Sequence, residues 1–134
     1  MRILIADDDR VCCQTLMMHL SLLGDIDTVG TGKEVVSAVR TALDQQRPYG
    51  LIFLDIVMPD GDGQEALREI RALETARGVH GLKGVKVVMV TCLDDRKQVM
   101  SAFRGQAEAY VVKPVDAEKL RSVLRDFGIL SKEV

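Results

Sequence analysis

The chain has 134 residues, with 18 basic side chains against 20 acidic ones and a net charge of −2; that fits one domain and leaves no room for a second of ordinary size. Hydrophobic residues make up 47% and charged residues 28%, a balance that builds a core without disulfides or a structural metal. Near-neutral charge excludes a bulk electrostatic grip on nucleic acid, and no apolar run approaches the ~20 residues that span a bilayer.

Short β-rich runs alternate with helical periodicity along the whole chain. Ile3-Leu4-Ile5-Ala6 is a continuous apolar run, the pattern of a strand buried on both faces. Cys12, Leu16, His19, Leu20 and Leu23 then recur as one stripe of a helix that Gly24 stops. Ile26 to Val29 reads as a weak second strand. Val35, Val36, Val39, Ala42 and Leu43 mark a second helix ending before Pro48, and Leu51-Ile52-Phe53-Leu54 a third strand. Pro59-Asp60-Gly61-Asp62-Gly63 is a turn, because proline fixes φ and glycine permits positive φ. Ala66, Leu67, Ile70 and Leu73 give a third helix, and Val85 to Val90 a fourth strand. Val99, Ala102 and Phe103 mark a fourth helix, begun by the capping pair Asp94-Asp95. Tyr110-Val111-Val112 is a fifth strand. Asp116 caps a last helix carrying Leu120, Val123, Leu124 and Phe127.

This pattern is (βα)5. Strands joined by crossover helices pair in parallel, so the expected fold is α/β: an open, doubly wound, five-stranded parallel sheet of the flavodoxin-like kind, with strand order 2-1-3-4-5. A closed barrel would need eight units. Residues 1–134 are expected to form one domain. The opening MRILIADDD has an apolar stretch too short for a signal peptide and ends in acids, so a cytoplasmic location is expected. Cys12, Cys13 and Cys92 lack metal-like spacing and read as reduced packing residues.

Doubly wound sheets bind ligands outside the carboxyl ends of their strands. The residues just past each apolar run are Asp7-Asp8-Asp9, Asp55, Thr91 and Lys113-Pro114. Singly, each has an ordinary explanation: aspartate as a turn or cap, threonine in local hydrogen bonding, lysine as solvated surface. Together they bring several carboxylates to one edge with little positive charge, which is costly unless a cation sits among them. A hard divalent ion such as Mg²⁺ suits that set and leaves room for a phosphoryl oxygen. An aspartate can itself be the nucleophile and form an aspartyl-phosphate. Asp55, after the most apolar strand, is the first candidate.

These residues resemble those of the receiver domain of two-component response regulators, most closely its stand-alone, CheY-like members. The resemblance rests on Asp7-Asp8, on Asp55 followed by Met58-Pro59-Asp60-Gly61 and Gly63, on Thr91, and on Tyr110 with Lys113-Pro114. It covers essentially the whole chain. It implies that Asp55 accepts the phosphoryl group and that Asp7, Asp8, Asp55 and the Val57 carbonyl hold Mg²⁺. Asp9 competes for the register of the acidic pair and is placed outside it because the apolar run ends at Ala6. The resemblance makes Thr91 and Lys113 the groups that contact the phosphoryl oxygens and Tyr110 an aromatic switch, with a half-buried strand aromatic as the plainer alternative. It makes the peptide before Pro114 cis.

Val57 and Leu93 occupy positions that in the family govern access of water to the phosphoryl group. Both are apolar and offer no base, so a phosphorylated state that is not especially short-lived is expected. Cys92 stands where the family prefers a small residue. Glu74 to Gly84 is longer than the family's usual link and is expected to extend the third helix and add a loop; His80 there is read as solvent-facing.

The implied partner is a sensor histidine kinase or a histidine phosphotransfer protein, with phosphorylation shifting a protein-binding face. By the resemblance that face is formed by the fourth helix, fifth strand and last helix. It would carry Lys97, Arg104, Lys119 and Arg121, with Met100 and Phe103. No output domain, nucleic acid or membrane contact is expected, nor turnover of an external substrate. A monomer is expected, with dimerisation on phosphorylation left open. A flavin carrier on the same fold would need a hydroxyl- and glycine-rich loop where Asp7-Asp8-Asp9 stand. A haloacid-dehalogenase-type phosphatase would need an aspartate where Val57 stands. A partner-binding role without phosphorylation remains as an alternative.

Overall fold

A computed structural model describes residues 1–58, 60, 62–79, 84–91, 107–113 and 115–127, with Thr91 and Val112 in backbone only. Its elements are β1 (Arg2–Ala6), α1 (Arg10–Leu20), β2 (Asp25–Val29), α2 (Gly32–Asp44), β3 (Leu51–Asp55), α3 (Gly63–Ala76), β4 (Lys86–Thr91), β5 (Ala109–Val112) and α4 (Ala117–Asp126). The five strands form one parallel sheet in the order β2-β1-β3-β4-β5, as expected. The helix expected around Val99 to Phe103 lies outside the described residues, as do Cys92, Leu93, Lys97 and Arg104.

The strands lack polar alternation because helices cover both faces of the sheet. Leu4, Ile52, Leu54, Val87 and Met89 pack with Val35, Val39, Leu67 and Ile70 of α2 and α3. Ile3, Ile5, Leu51, Phe53, Val88 and Val90 pack on the other face with Leu16, Leu20, Leu120 and Leu124 of α1 and α4. β2 lies at the edge, with Asp25, Asp27 and Thr28 exposed, which accounts for its weak signal.

Two details of the first helix differ from expectation. His19 is exposed, and the buried arc is centred on Leu16 and Leu20, with Cys12 and Cys13 packed against the same core. The helix ends at Leu20, before Gly24. Gly24 has a different reason to be glycine: a Cβ there would stand 1.8 Å from the Met1 carbonyl oxygen, while the next amide, that of Asp25, donates to that oxygen. α3 does run past Glu74, to Ala76, and closes through Gly78 at φ +77°; His80 lies outside the described residues.

The end of the sheet opposite the acidic edge holds a polar network. Glu74, buried on α3, accepts from Arg71 at 2.7 Å and from the Val85 amide at 2.7 Å. Arg71 also pairs with Glu108 at 2.9 Å and donates to the Val85 carbonyl. Glu108 in turn accepts from the Val87 amide. Nearby, the Tyr49 hydroxyl donates to Asp27 at 2.6 Å and the Arg2 guanidinium lies 4.5 Å from the centre of the Tyr49 ring. Burial and the Asp27 carboxylate push the Tyr49 phenol up to about 12.

Candidate functional site

Register brings the acids together. Ala6 pairs with Leu54, so the next residues, Asp7 and Asp55, emerge side by side from β1 and β3. Asp7 is tied down by its amide bond to the Val29 carbonyl, and Ile56, after Asp55, by its bond to the Val90 carbonyl. Carboxylate oxygens of Asp7, Asp8 and Asp55 lie within 4.8 Å of one another. The side chains of Asp7 and Asp55 are only 2% and 6% exposed, whereas Asp8 is exposed. Asp9 leaves the group: its side chain caps α1, accepting from the Val11 amide at 2.9 Å.

Lys113, just past β5, reaches across to both buried acids. Its Nζ lies 3.0 Å from Asp7 Oδ2 and 3.4 Å from Asp55 Oδ2. Two buried carboxylates therefore share one ammonium, and the titration follows. Burial and the neighbouring Asp7 charge push Asp55 up to about 6 against the pull of Lys113. Burial also opposes ionisation of Asp7, but the Asp9 amide, the Cys12 thiol and Lys113 outweigh it and hold Asp7 below the usual carboxylate range. Burial disfavours the Lys113 charge, yet the two aspartates hold its pKa above the ordinary lysine value.

Asp55 Oδ1 accepts from the Val57 amide at 3.3 Å. Val57 itself is 75% exposed at the mouth of the site. The turn that follows shapes the loop between β3 and α3. Asp60 sits at φ +53°, and Asp62 caps α3 by accepting from the Glu65 amide at 2.8 Å. Gly63 donates to the Ile56 carbonyl. A Cβ on Gly63 would stand 2.1 Å from the Asp55 carbonyl oxygen, so only glycine lets α3 start this close to the end of β3.

Thr91 ends β4 at the same edge, one residue past the Asp55–Val90 pair. Tyr110 lies on β5 opposite Met89 and is 39% exposed. Pro59, Gly61 and Pro114 lie outside the described residues. Sequence reasoning missed the cysteines' place beside the site: the Cys13 thiol donates to the Asp7 carbonyl at 3.3 Å, and the Asp7 carboxylate acts electrostatically on Cys12. Burial and that carboxylate hold the Cys12 thiol up at about 12. Their spacing, five and six residues beyond Asp7 on the first turn of α1, was the available signal.

The residues fit a hard divalent cation. The donors are carboxylates, negative charge exceeds positive among the buried groups, and no hydrogen-bond donor is aligned on the enclosed Asp7 Oδ2 despite its ion pair with Lys113. A doubly wound sheet whose carboxyl edge gathers three carboxylates and a lysine can hold a divalent cation beside an anionic group. The sequence matches the family described as Response regulator receiver domain over residues 3–125, and the chain belongs to that family, whose members act in two-component phosphorelay signalling.

Among its relatives, the chain is 30% identical to the regulatory protein VanRB of Enterococcus faecalis, over 98% of this chain and 56% of that protein. It is 27% identical to the chemotaxis protein CheY of Listeria monocytogenes, over 90% of this chain and 93% of that one. It spans about half the length of several other curated relatives. Among solved structures it is similar to the receiver domain of the histidine kinase CKI1 from Arabidopsis thaliana complexed with Mg²⁺ and BeF3⁻. That likeness has a TM-score of 0.80 and 25% identity, covering 95% of this chain and 89% of that one. Among the described residues, no helix is long and apolar enough to cross a membrane.

Proposed function

We propose that this chain is a response regulator that accepts a phosphoryl group on Asp55 from a phosphohistidine protein, in a Mg²⁺-dependent reaction, and signals by changing a protein-binding surface. The observation that carries this reading is the convergence of Asp7, Asp8 and Asp55 around Lys113. Asp7, Asp8, Asp55 and the Val57 carbonyl would hold Mg²⁺, which supplies positive charge next to the phosphoryl oxygens.

The rest falls to the chain's own groups. An Asp55 oxygen attacks phosphorus and the P–N bond to the donor imidazole breaks, its electron pair returning to the ring nitrogen. Asp55 must be ionised to attack, and at pH 7.5 it is largely so despite its raised pKa. The Val57 amide orients Oδ1 and leaves Oδ2 beside Lys113. Lys113 then neutralises the transferred phosphoryl group, and positioning provides most of the acceleration. Thr91 and Tyr110 relay occupancy to the surface around β5.

The donor is a sensor histidine kinase or a histidine phosphotransfer protein. Exposed apolar side chains lead to the site: Val57 at its mouth, then Val11, Met18 and Leu22 at helical spacing along α1 and the turn after it. That line suits an apolar helical surface on the donor. With valine at position 57, turnover of a phosphomonoester is not expected. A cytoplasmic setting belongs to the same proposal.

The test is intact-mass spectrometry after incubation with Mg²⁺ and a small acyl phosphate. One added phosphoryl group is expected, absent without Mg²⁺ and absent in Asp55→Asn. Labelling that persists in Asp55→Asn would refute the assignment. No adduct from either the acyl phosphate or a phosphohistidine protein would favour partner binding without phosphorylation.

A further inference from the structure

The end of the sheet opposite the acidic edge holds a cavity of about 270 Å³. Val39 and Leu43 of α2, Ile52 of β3, Val79 after α3 and Val85 before β4 line it with apolar surface. One carboxylate, that of Glu74, stands in this wall. Its side chain is only 7% exposed, and a charged group that far from water needs partners. Glu74 Oε1 accepts from Arg71 and Oε2 from the Val85 amide, both at 2.7 Å. A carboxylate oxygen can accept about two hydrogen bonds; among the described residues each of these accepts one. Arg71 is also forked onto Glu108, at 3.0 and 2.9 Å. Two carboxylates therefore share one guanidinium, and among the described residues no other cation pairs with either. The group leaves one net negative charge beside the cavity.

Glycine at position 84 keeps that charge uncovered. Gly84 lines the cavity, and a Cβ there would stand 3.0 Å from Glu74 Oε1 and 3.2 Å from Oε2, so a side chain would lie over both oxygens. A mostly apolar cavity with one polar group in its wall is the ordinary make-up of a small-molecule site. We infer that this cavity binds a small organic cation, an ammonium or amidinium on a compact apolar body, with the charged head at Glu74 and the body against Val39, Leu43 and Ile52. At ~30 Å³ for each water of the liquid, the cavity has room for about nine atoms of that size, which sets the scale of the ligand. The site lies at the other end of the strands from Asp7, Asp8 and Asp55 and stands independently of the phosphoryl chemistry.

The probes are benzylamine and benzamidine, with benzyl alcohol as the uncharged comparison. Each is titrated into the isotope-labelled full chain and followed by amide NMR. Saturable shifts are expected at the Val79, Gly84 and Val85 amides with at least one of the two cations, with a dissociation constant of about 1 mM, and benzyl alcohol should bind about tenfold more weakly. Glu74→Gln keeps an oxygen for the Val85 amide and leaves Arg71 paired with Glu108; it is expected to weaken binding of the cation about tenfold. Val79→Phe fills the cavity from its rim, leaves the charged group intact, and is expected to abolish binding. The inference is overturned if neither cation shifts these amides saturably, or if the shifts are confined to residues around Asp7 and Asp55. Benzyl alcohol binding as tightly as benzylamine, or Glu74→Gln binding the cations as the wild type does, would overturn it too. If Glu74→Gln does not fold, Val79→Phe and the benzyl alcohol comparison provide the same test.

Discussion

Replacing Asp55 by asparagine should stabilise the metal-free protein near neutral pH, and the gain should vanish in acid. Asp55 and Asp7 are both buried and share the single ammonium of Lys113. Asparagine keeps the oxygen that accepts from the Val57 amide, removes one buried charge, and leaves Asp7 paired with Lys113. In the unfolded chain Asp55 titrates at its ordinary value of 3.8, whereas in the folded chain it titrates at about 6. The folded state therefore binds more protons across that interval, and stability falls as pH rises through it. Below pH 3.8 the charge costs nothing; above pH 6 the cost is complete. A displacement of about two units corresponds to ~3 kcal/mol, and coupling to Asp7 brings the expected gain to about 1–3 kcal/mol. For a domain of this size that is roughly 4–12 °C in melting temperature. The assay is urea unfolding of both proteins in EDTA at pH 7.5 and pH 4.5, repeated with excess Mg²⁺ at pH 7.5. The Asn variant should be the more stable at pH 7.5 in EDTA, and the gap should shrink at pH 4.5. Added Mg²⁺ should raise the wild type far more than the variant, because only a ligand held by the folded state stabilises it. An Asn variant less stable than the wild type in EDTA at pH 7.5, or equally favoured at both pH values, would refute the electrostatic account.

Gly63→Ala should cost about 2–4 kcal/mol in urea unfolding and depress acyl-phosphate labelling, because its Cβ meets the Asp55 carbonyl oxygen at 2.1 Å; unchanged stability would show that α3 yields more readily than argued. Arg71→Leu strands two carboxylates, Glu74 and Glu108, and should cost about 3–5 kcal/mol, with a loss under 1 kcal/mol counting against the network. Met18→Glu, on the exposed line of α1, should slow transfer from a competent phosphohistidine protein at least tenfold while acyl-phosphate labelling stays within twofold. Equal effects on both donors would move the docking surface elsewhere.

The sheet was legible because burial on both faces turns four of its strands into apolar runs, and a parallel sheet delivers whatever follows each run to one edge. That rule placed Asp7, Asp55 and Lys113 within contact of one another. The end of the apolar run at Ala6 put Asp9 outside the acidic pair, and cap geometry agrees, since Asp9 is spent on the amides of Val11 and Cys12. Gly24 was read as a helix stop because a sequence shows no close approach from a distant backbone, here that of Met1. His19 sat at the right spacing for the stripe, but α1 is rolled so that Cys13 faces inward in its place. Nothing in the sequence singled out Arg71, Glu74 and Glu108 as a buried network. Their burial depends on contacts 11, 14 and 37 residues apart in the chain, which periodicity does not register.

The chain has two tyrosines and no tryptophan, and the fold puts those two rings in very different circumstances. Tyr49 is buried at the foot of the sheet, its hydroxyl committed to Asp27 and its ring covered by Arg2. Tyr110 is well exposed on β5, whose far end delivers Lys113 to the acidic edge. The molecule is thus built as its own optical instrument: one aromatic reference at the foot of the sheet, and one probe on the strand that leads to Lys113 at the acidic edge. Ultraviolet emission, or a ring-labelled tyrosine NMR spectrum, would follow the unmodified protein through phosphorylation with no fluorophore attached and no residue changed.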